Sequence, residues 1–345
     1  MWSRLFPCSI FITIALSVSL GVNANISCAS WFWGVALDGY PITAGMLNEV
    51  ERETGLFPQI VVFFVQWPSS PKPGGFPKES LEAIWMRGAL PCLTWEPMYY
   101  KGGEEIMVSY EQILGAEYDP YLTAFAREAR SWGKPFLIRF AHEMNIERYH
   151  WGTEKGCYGP KSPEIYKGVF QYVVSLFQKV GAHNVLWVFC PNAESVPNTS
   201  FDPGASWNRA SNYYPGESYV DILGMDGYNW GTTQTVKKNG WKSHWKSFEE
   251  IFRPIYRELK ALSPQKPIFV FETASANQGG QKSPWIKEAF LKIDEWNIDG
   301  LVWFHVKKEV DWRINSDGDT SYVSLVRSRG SRSRRWIKDF AEKDR

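Results

Sequence analysis

The chain has 345 residues, room for about two ordinary domains or one large α/β barrel, and its formal charge of +1 gives no general pull toward nucleic acid or an anionic membrane. With 44% hydrophobic and 22% charged residues, and without periodic glycine, low-complexity runs or heptads, it is neither collagen, a disordered tract nor a coiled coil. The outlier is aromatic content, 18 Trp, 16 Tyr and 21 Phe, a surplus of flat rings that suits the apolar faces of sugars unless the core itself is Trp-rich.

In chain order, the first element is an export signal. Arg4 supplies the positive end, Phe6 to Val22 the apolar stretch, and Val22-Asn23-Ala24 the small residues of a cleavage site. The stretch is shorter and richer in hydroxyls than the roughly 20 apolar residues of a spanning helix, and no other run is long and apolar enough to cross a bilayer. Cleavage takes away Arg4 and no acid, which leaves 37 charges of each sign in a mature chain of residues 25–345. The expected location is secreted or periplasmic. Cys28, just after the signal, offers a lipid anchor as the alternative, although Asn25 three residues before it fits that poorly. Four mature cysteines make no disulfide scaffold. Cys92 and Cys190 lie in apolar runs and read as small buried residues, whereas Cys28 and Cys157 lie in loop-like surroundings, with their pairing open.

From there the chain alternates apolar runs with amphipathic helices. Strands are predicted at Trp31–Leu37, Gln59–Trp67, Ala89–Trp95, Pro135–Ala141, Asn184–Cys190, Tyr219–Tyr228, Pro267–Glu272 and Gly300–Phe304. Helices are predicted at Ala44–Glu53, Lys78–Arg87, Tyr121–Trp132, Pro163–Val180, Phe248–Leu262 and Ser283–Trp296. The strand runs are continuously apolar, as strands covered on both faces are. Eight of them in βα alternation count out to a single-domain (β/α)8 TIM barrel; a doubly wound sheet is the rival, but no Gly-rich phosphate turn follows the first strand. The long irregular stretches Ile146–Ser162, Pro191–Glu217 and Asn229–Ser247 all follow strand C-termini, where a barrel builds its active site. Arg327, Arg329, Arg332, Arg334 and Arg335 form a basic run read as a solvated segment before a last helix at Trp336–Glu342.

Two strand ends carry the chemistry. Pro135 to Ala141 is an apolar run that closes in His142-Glu143-Met144-Asn145, and Lys266 to Phe271 closes in Glu272-Thr273. A carboxylate that ends an apolar strand is costly unless the strand opens into a polar pocket. Two of them, on the fourth and seventh strands of a barrel, would converge on one cavity. Glycoside hydrolysis needs such a pair, one protonated acid and one ionised carboxylate. Either glutamate alone reads first as a structural salt bridge; it is the pair, with the aromatic surplus, that points to catalysis. His142-Glu143-Met144-Asn145-Ile146 starts like a zincin helix, but Ile146 stands where the second histidine is required. No Gly-x-Ser-x-Gly elbow, phosphate loop or paired metal-ligand histidines occur, and Asp317-Gly318-Asp319 reads as a tight turn, so no metal or cofactor is implied.

Arg139-Phe140-Ala141-His142-Glu143-Met144-Asn145 resembles the signature of glycoside hydrolase family 26, which holds β-mannanases, some mixed-linkage glucanases and β-1,3-xylanases. Weaker pieces follow in the right order: Trp33-Gly34-Val35 with Gly39-Tyr40-Pro41, Trp95-Glu96-Pro97, Trp187 to Asn192, Tyr213 to Gly216, Asp226 to Trp230, Trp303-Phe304 and Glu309 to Arg313. The resemblance implies a (β/α)8 barrel with retaining chemistry, Glu143 as acid/base, Glu272 as nucleophile, and carboxyls about 5–5.5 Å apart. It makes Tyr228 a hydrogen-bond donor that orients Glu272, and His142, Arg139 and Asn145 polar groups around the reacting sugar, with a structural ion pair an equal reading for Arg139. It makes Trp303 the stacking floor under that sugar, with core packing at the barrel end as the other reading, Trp151 a wall near the acid/base, and Glu96 a substrate contact or a brace. After His-Glu-Met-Asn this chain departs from the family, with Arg148 in place of an aromatic near the sugar sites. The expected function is therefore secreted, retaining endo-hydrolysis of a β-linked polysaccharide by a monomer, β-1,4-mannan first. Mixed-linkage β-glucan, β-1,3-xylan or an exopolysaccharide are the alternatives, and a non-catalytic carbohydrate-binding barrel is the rival of another class.

Overall fold

The computed structural model describes residues 31–152, 158–315 and 318–329. The export signal, Cys28, Cys157, Asp317, the arginines at 332, 334 and 335 and the predicted last helix lie outside the described residues. Eight parallel strands close into a barrel: β1 (Phe32–Ala36), β2 (Ile60–Gln66), β3 (Leu90–Glu96), β4 (Phe136–Phe140), β5 (Val185–Phe189), β6 (Ile222–Asn229), β7 (Ile268–Ser275) and β8 (Gly300–Phe304). Each pairs with its sequence neighbours, and β1 closes on β8 with Phe32 opposite Gly300. This is a (β/α)8 barrel.

The helices are held by local signals. Gly55, Gly133 and Gly181 end three of them in the left-handed conformation, and Ser247 with Glu250 forms a capping box at the start of Phe248–Leu262. The connection from β5 to β6 carries no α-helix, only the short 3-10 turns Pro203–Asn208, Ala210–Tyr213 and Glu217–Tyr219. A hairpin, Met98–Lys101 with Glu104–Met107, follows β3 and turns on Gly102-Gly103. Among the described residues no helix is long and apolar enough to cross a membrane.

The aromatic surplus is spent mostly on the layer between barrel and helices. Trp95 lies 4.5 Å from Phe125 and 5.9 Å from Phe177 between ring centroids, and Trp187 lies 5.0 Å from Phe177. Cys92 and Cys190 are buried free thiols. Inside the barrel the packing is polar at one level. Side chains alternate along a strand, so Phe140 faces Phe170 on the helix side while Arg139 turns inward. Strand β7 breaks this rule: Met225 pairs with Val270 but Asp226 pairs with Glu272, and on the other side Leu301 pairs with Val270 but Trp303 with Thr273. One extra residue thus sits in β7, a bulge that lets both Phe271 and Glu272 face Arg139. Gly224 in β6 makes room for it, since a Cβ there would stand 2.7 Å from the Phe271 ring.

Candidate active site

Glu143 and Glu272 both end up at the C-terminal mouth of the barrel, almost fully buried. Glu143 reaches its place by a sharp turn out of β4, with left-handed backbone at Ala141 (φ 45°) and Glu143 (φ 51°). Neither residue is glycine, so each costs of order 1–3 kcal/mol, a strain that persists where the surroundings demand the geometry. The Glu143 amide donates to the Cys190 carbonyl at 2.8 Å, and the Ala141 amide to the Trp95 carbonyl at 3.1 Å, which ties the turn to both neighbouring strands.

The two carboxyls have different surroundings. Burial, reinforced by the like charge of Glu272, pushes Glu143 up to about 7. Opposing that shift, the Asn192 side-chain amide donates to Glu143 Oε1 at 2.6 Å. Glu272 accepts from Arg139 on Oε1 and from the Tyr228 hydroxyl on Oε2, so both its oxygens are fixed as acceptors. Asn192→Ala removes the donor that favours ionised Glu143. The alkaline limb of the rate profile should therefore move to higher pH than in the parent, and a limb that stays put or moves down would separate Asn192 from the acid's titration.

Arg139 does not face a sugar. It is fully buried beneath the pocket, where Nη1 donates to both Asp226 oxygens at 2.8 and 2.7 Å, Nη2 to Glu272, and Nε and Nη2 to Thr94 Oγ1 at 3.1 and 2.8 Å. A guanidinium carries five donors in a fixed fork, and every acceptor here lies inside the barrel. His142, Asp226 and Glu272 bring metal-ligating atoms within 4.8 Å of one another, but Arg139 already supplies the positive charge between the two carboxylates.

His142 lies beside Glu272, its Nε2 3.9 Å from Oε1, and neither ring nitrogen has a hydrogen-bond partner among the described residues. Burial and the charges of Arg139 and Arg148 hold the imidazole well below its usual range, so it is neutral. Asn145 is a brace rather than a sugar contact. Its Nδ2 donates to the Asn192 carbonyl at 2.9 Å and Ser195 Oγ at 3.0 Å, and its Oδ1 accepts from the Asn192 amide at 2.8 Å. The buried Asn145 thus positions the residue that bonds Glu143. Trp151 is also buried; its indole donates to the His142 carbonyl at 2.6 Å, and the half-buried Tyr149 stacks on it at 4.4 Å, so Tyr149 and not Trp151 meets the cavity.

Trp303 departs furthest from expectation. It points outward, 5.0 Å from Tyr322 and 6.3 Å from Trp285, with its indole donating to the Trp312 carbonyl at 2.6 Å. Its strand neighbour Phe304 takes the inward face instead, 5.6 Å from Tyr228 and 6.5 Å from Phe64. Glu96, at the end of β3, accepts from Gln66, and burial pushes it up to about 7. Arg148 stacks on Tyr149 at 4.9 Å and forms a two-pronged pair with Glu105 of the hairpin, at 2.8 and 2.7 Å. Sequence reasoning passed over Asp226, Asn192 and Tyr149 as site residues. Asp226 carried the signal used for the two glutamates, a carboxylate set in an apolar strand.

Residues 121–286, the span of β4 to β7, match the family model described as Glycosyl hydrolase family 26. Endoglucanase H of Acetivibrio thermocellus is 33% identical over 311 residues, which cover 89% of this chain and 31% of that protein. A mannan endo-1,4-beta-mannosidase of Bacillus subtilis is 30% identical over 171 residues, 43% of each chain. The chain thus spans about a third of the first relative's length and under half of the second's. Among solved structures, a Bacillus subtilis mannanase shares the fold with a TM-score of 0.62 at 19% identity, covering 88% of this chain and 87% of that one. A GH26 beta-mannanase from Bacteroides ovatus does so at 0.58 and 20%, covering 87% and 89%. With the match running through the strands that hold Glu143, Asp226 and Glu272, and the whole barrel shared, the chain belongs to glycosyl hydrolase family 26.

Proposed function

We propose that this chain is a retaining endo-β-glycanase, with Glu143 as acid/base and Glu272 as the nucleophile that forms a glycosyl-enzyme. The observation that carries the reading is the contrast between two buried glutamates in one cavity: Glu143 pushed up to about 7, and Glu272 held as an acceptor by Arg139 and Tyr228. Protonated Glu143 would give its proton to the departing glycosidic oxygen while Glu272 attacks the anomeric carbon, and ionised Glu143 would then activate the water that releases the sugar.

For the substrate, β-1,4-mannan comes first, because several of the relatives are named mannan endo-1,4-beta-mannosidases. A β-glucan is the second reading, favoured because the relative matched over 89% of this chain is named an endoglucanase, whereas the mannosidase match covers 43% of it. Reducing-sugar release from mannan, glucomannan, lichenan and β-1,3-xylan separates them. Mannan and glucomannan should lead under the first reading and lichenan under the second. No release from any β-glycan, with binding retained, would leave the carbohydrate-binding barrel.

A further inference from the structure

Most of the tryptophans in this chain are consumed by the core, which makes the exceptional one informative. Among the described tryptophans, Trp241 alone is exposed, at 45%. It lies on the loop after β6, the strand that ends in Tyr228 and Asn229. Its ring meets Trp230 edge to face, with centroids 5.6 Å apart at 81°. Trp230 meets Trp312 at 5.0 Å and 88°, and both meet Tyr228, at 6.1 and 5.4 Å. Tyr228 in turn donates to Glu272. A continuous run of aromatic rings therefore leads from the nucleophile out to the surface and finishes in an open indole.

The loop that carries Trp241 is firmly tied. Asn229 Oδ1 accepts from the amides of Gly231 and Lys246, each at 3.1 Å, and so pins both ends. Gln234 and Ser243 exchange two bonds across its middle, at 3.0 and 3.3 Å, and the Thr232 amide donates to the Gln278 carbonyl at 3.0 Å. At 45% exposure the Trp241 ring is only partly covered by its packing on Trp230, and the apolar surface left in water gains from burial against a partner. Its edge-to-face contact with Trp230 leaves ring surface open, and a pyranose offers C–H groups on a flat face of matching size.

We propose that Trp241 is a stacking platform for a sugar unit of a β-linked chain, at a subsite removed from the scissile bond, so that it sets affinity for longer chains. This rests on the carbohydrate-processing reading above and adds to it a chain-length determinant. Because Trp241 touches none of the groups around the carboxylates, Trp241→Ala should leave cleavage of a short aryl glycoside at the parental rate.

The test is a ligand-length ladder, read by calorimetry in the Glu143→Gln background so that nothing is cleaved. Di- to hexasaccharides of the mannan and β-1,4-glucan series serve as probes. With Trp241 intact, affinity should rise with length; Trp241→Ala should weaken the hexasaccharide roughly tenfold and leave the disaccharide unchanged. Trp241→Phe, which keeps a flat ring, should recover most of the loss, and a parental unfolding midpoint for both variants excludes a folding defect. Equal weakening at every length, no weakening, or no oligosaccharide binding at all would overturn the proposal. A change in sedimentation with Trp241→Ala but none in the ladder would assign the ring to a protein contact instead. Absence of hydrolysis by the parent would count against the enzyme reading alone, since the ladder measures binding.

Discussion

Glu143→Ala should lose about 10²- to 10⁴-fold in turnover on polysaccharide, the usual range for removing a general acid, yet far less on a dinitrophenyl glycoside. A good leaving group departs without a proton, so formation of the glycosyl-enzyme on Glu272 no longer needs Glu143; only water activation in the second step still does. Added azide should then restore turnover, because the anion attacks the glycosyl-enzyme without base assistance and gives a β-configured azide. Glu272→Ala should behave in the opposite way. Its loss should not depend on the leaving group, and azide should enter from the vacated face and give the α-azide. Proton NMR reads both configurations. An α-azide from the Glu143 variant would mean the roles are reversed, and inverted sugar from the unaltered enzyme would exclude retention.

The two glutamates were legible as a pair: each stands at the end of a mostly apolar strand, where a carboxylate is costly without a polar pocket, and the fourth and seventh strands of a barrel bring them to one mouth. Strand count and order were legible because long apolar runs between amphipathic segments leave few other architectures. What could not be read was direction. A strand buried on both faces shows no alternation of polar and apolar residues, so nothing told Trp303, turned toward Tyr322, from Phe304, turned toward Tyr228. The extra residue in β7 is equally silent in sequence, since the bulge at Phe271-Glu272 appears only as a slip against both partners. Strict alternation would have sent Glu272 to the side opposite Phe271. Residue type alone does not choose a partner for Asn145 or Arg139, because amide and guanidinium groups serve a sugar hydroxyl and a protein carbonyl or carboxylate alike; of the two readings of Arg139, its contacts with Asp226 and Glu272 match the ion pair. The hairpin after β3 did carry its signal, the Gly102-Gly103 pair between two short runs.

Arg139→Met should be among the most damaging single changes in the barrel, and by a route that separates stability from catalysis. Removing the guanidinium leaves Asp226 and Glu272 buried without their counter-charge, and breaking a buried pair in this way costs about 3–5 kcal/mol. Urea denaturation should show it as a lower midpoint at parental slope. The pH dependence has a definite sign. Burial already holds the Asp226 carboxyl well above its ordinary range, and without Arg139 the charge that opposes this push is gone, so the folded variant binds protons that the unfolded chain has released. Its stability is then fully present below the ordinary carboxylate range and is lost as pH rises through the raised folded values. The deficit against the parent should therefore shrink on acidification and widen toward neutral pH. Adding Asp226→Asn to Arg139→Met removes one of the stranded charges and should restore part of the stability. Turnover should stay low in the double variant, because Glu272 still lacks the donor that fixes its Oε1. Arg139→Lys should fall between the two: a single ammonium keeps the charge but cannot reach Asp226, Glu272 and Thr94 together as the fork does. Parental stability in Arg139→Met, or full turnover in the double variant, would show that the buried pairs around Arg139 do not hold the nucleophile in place.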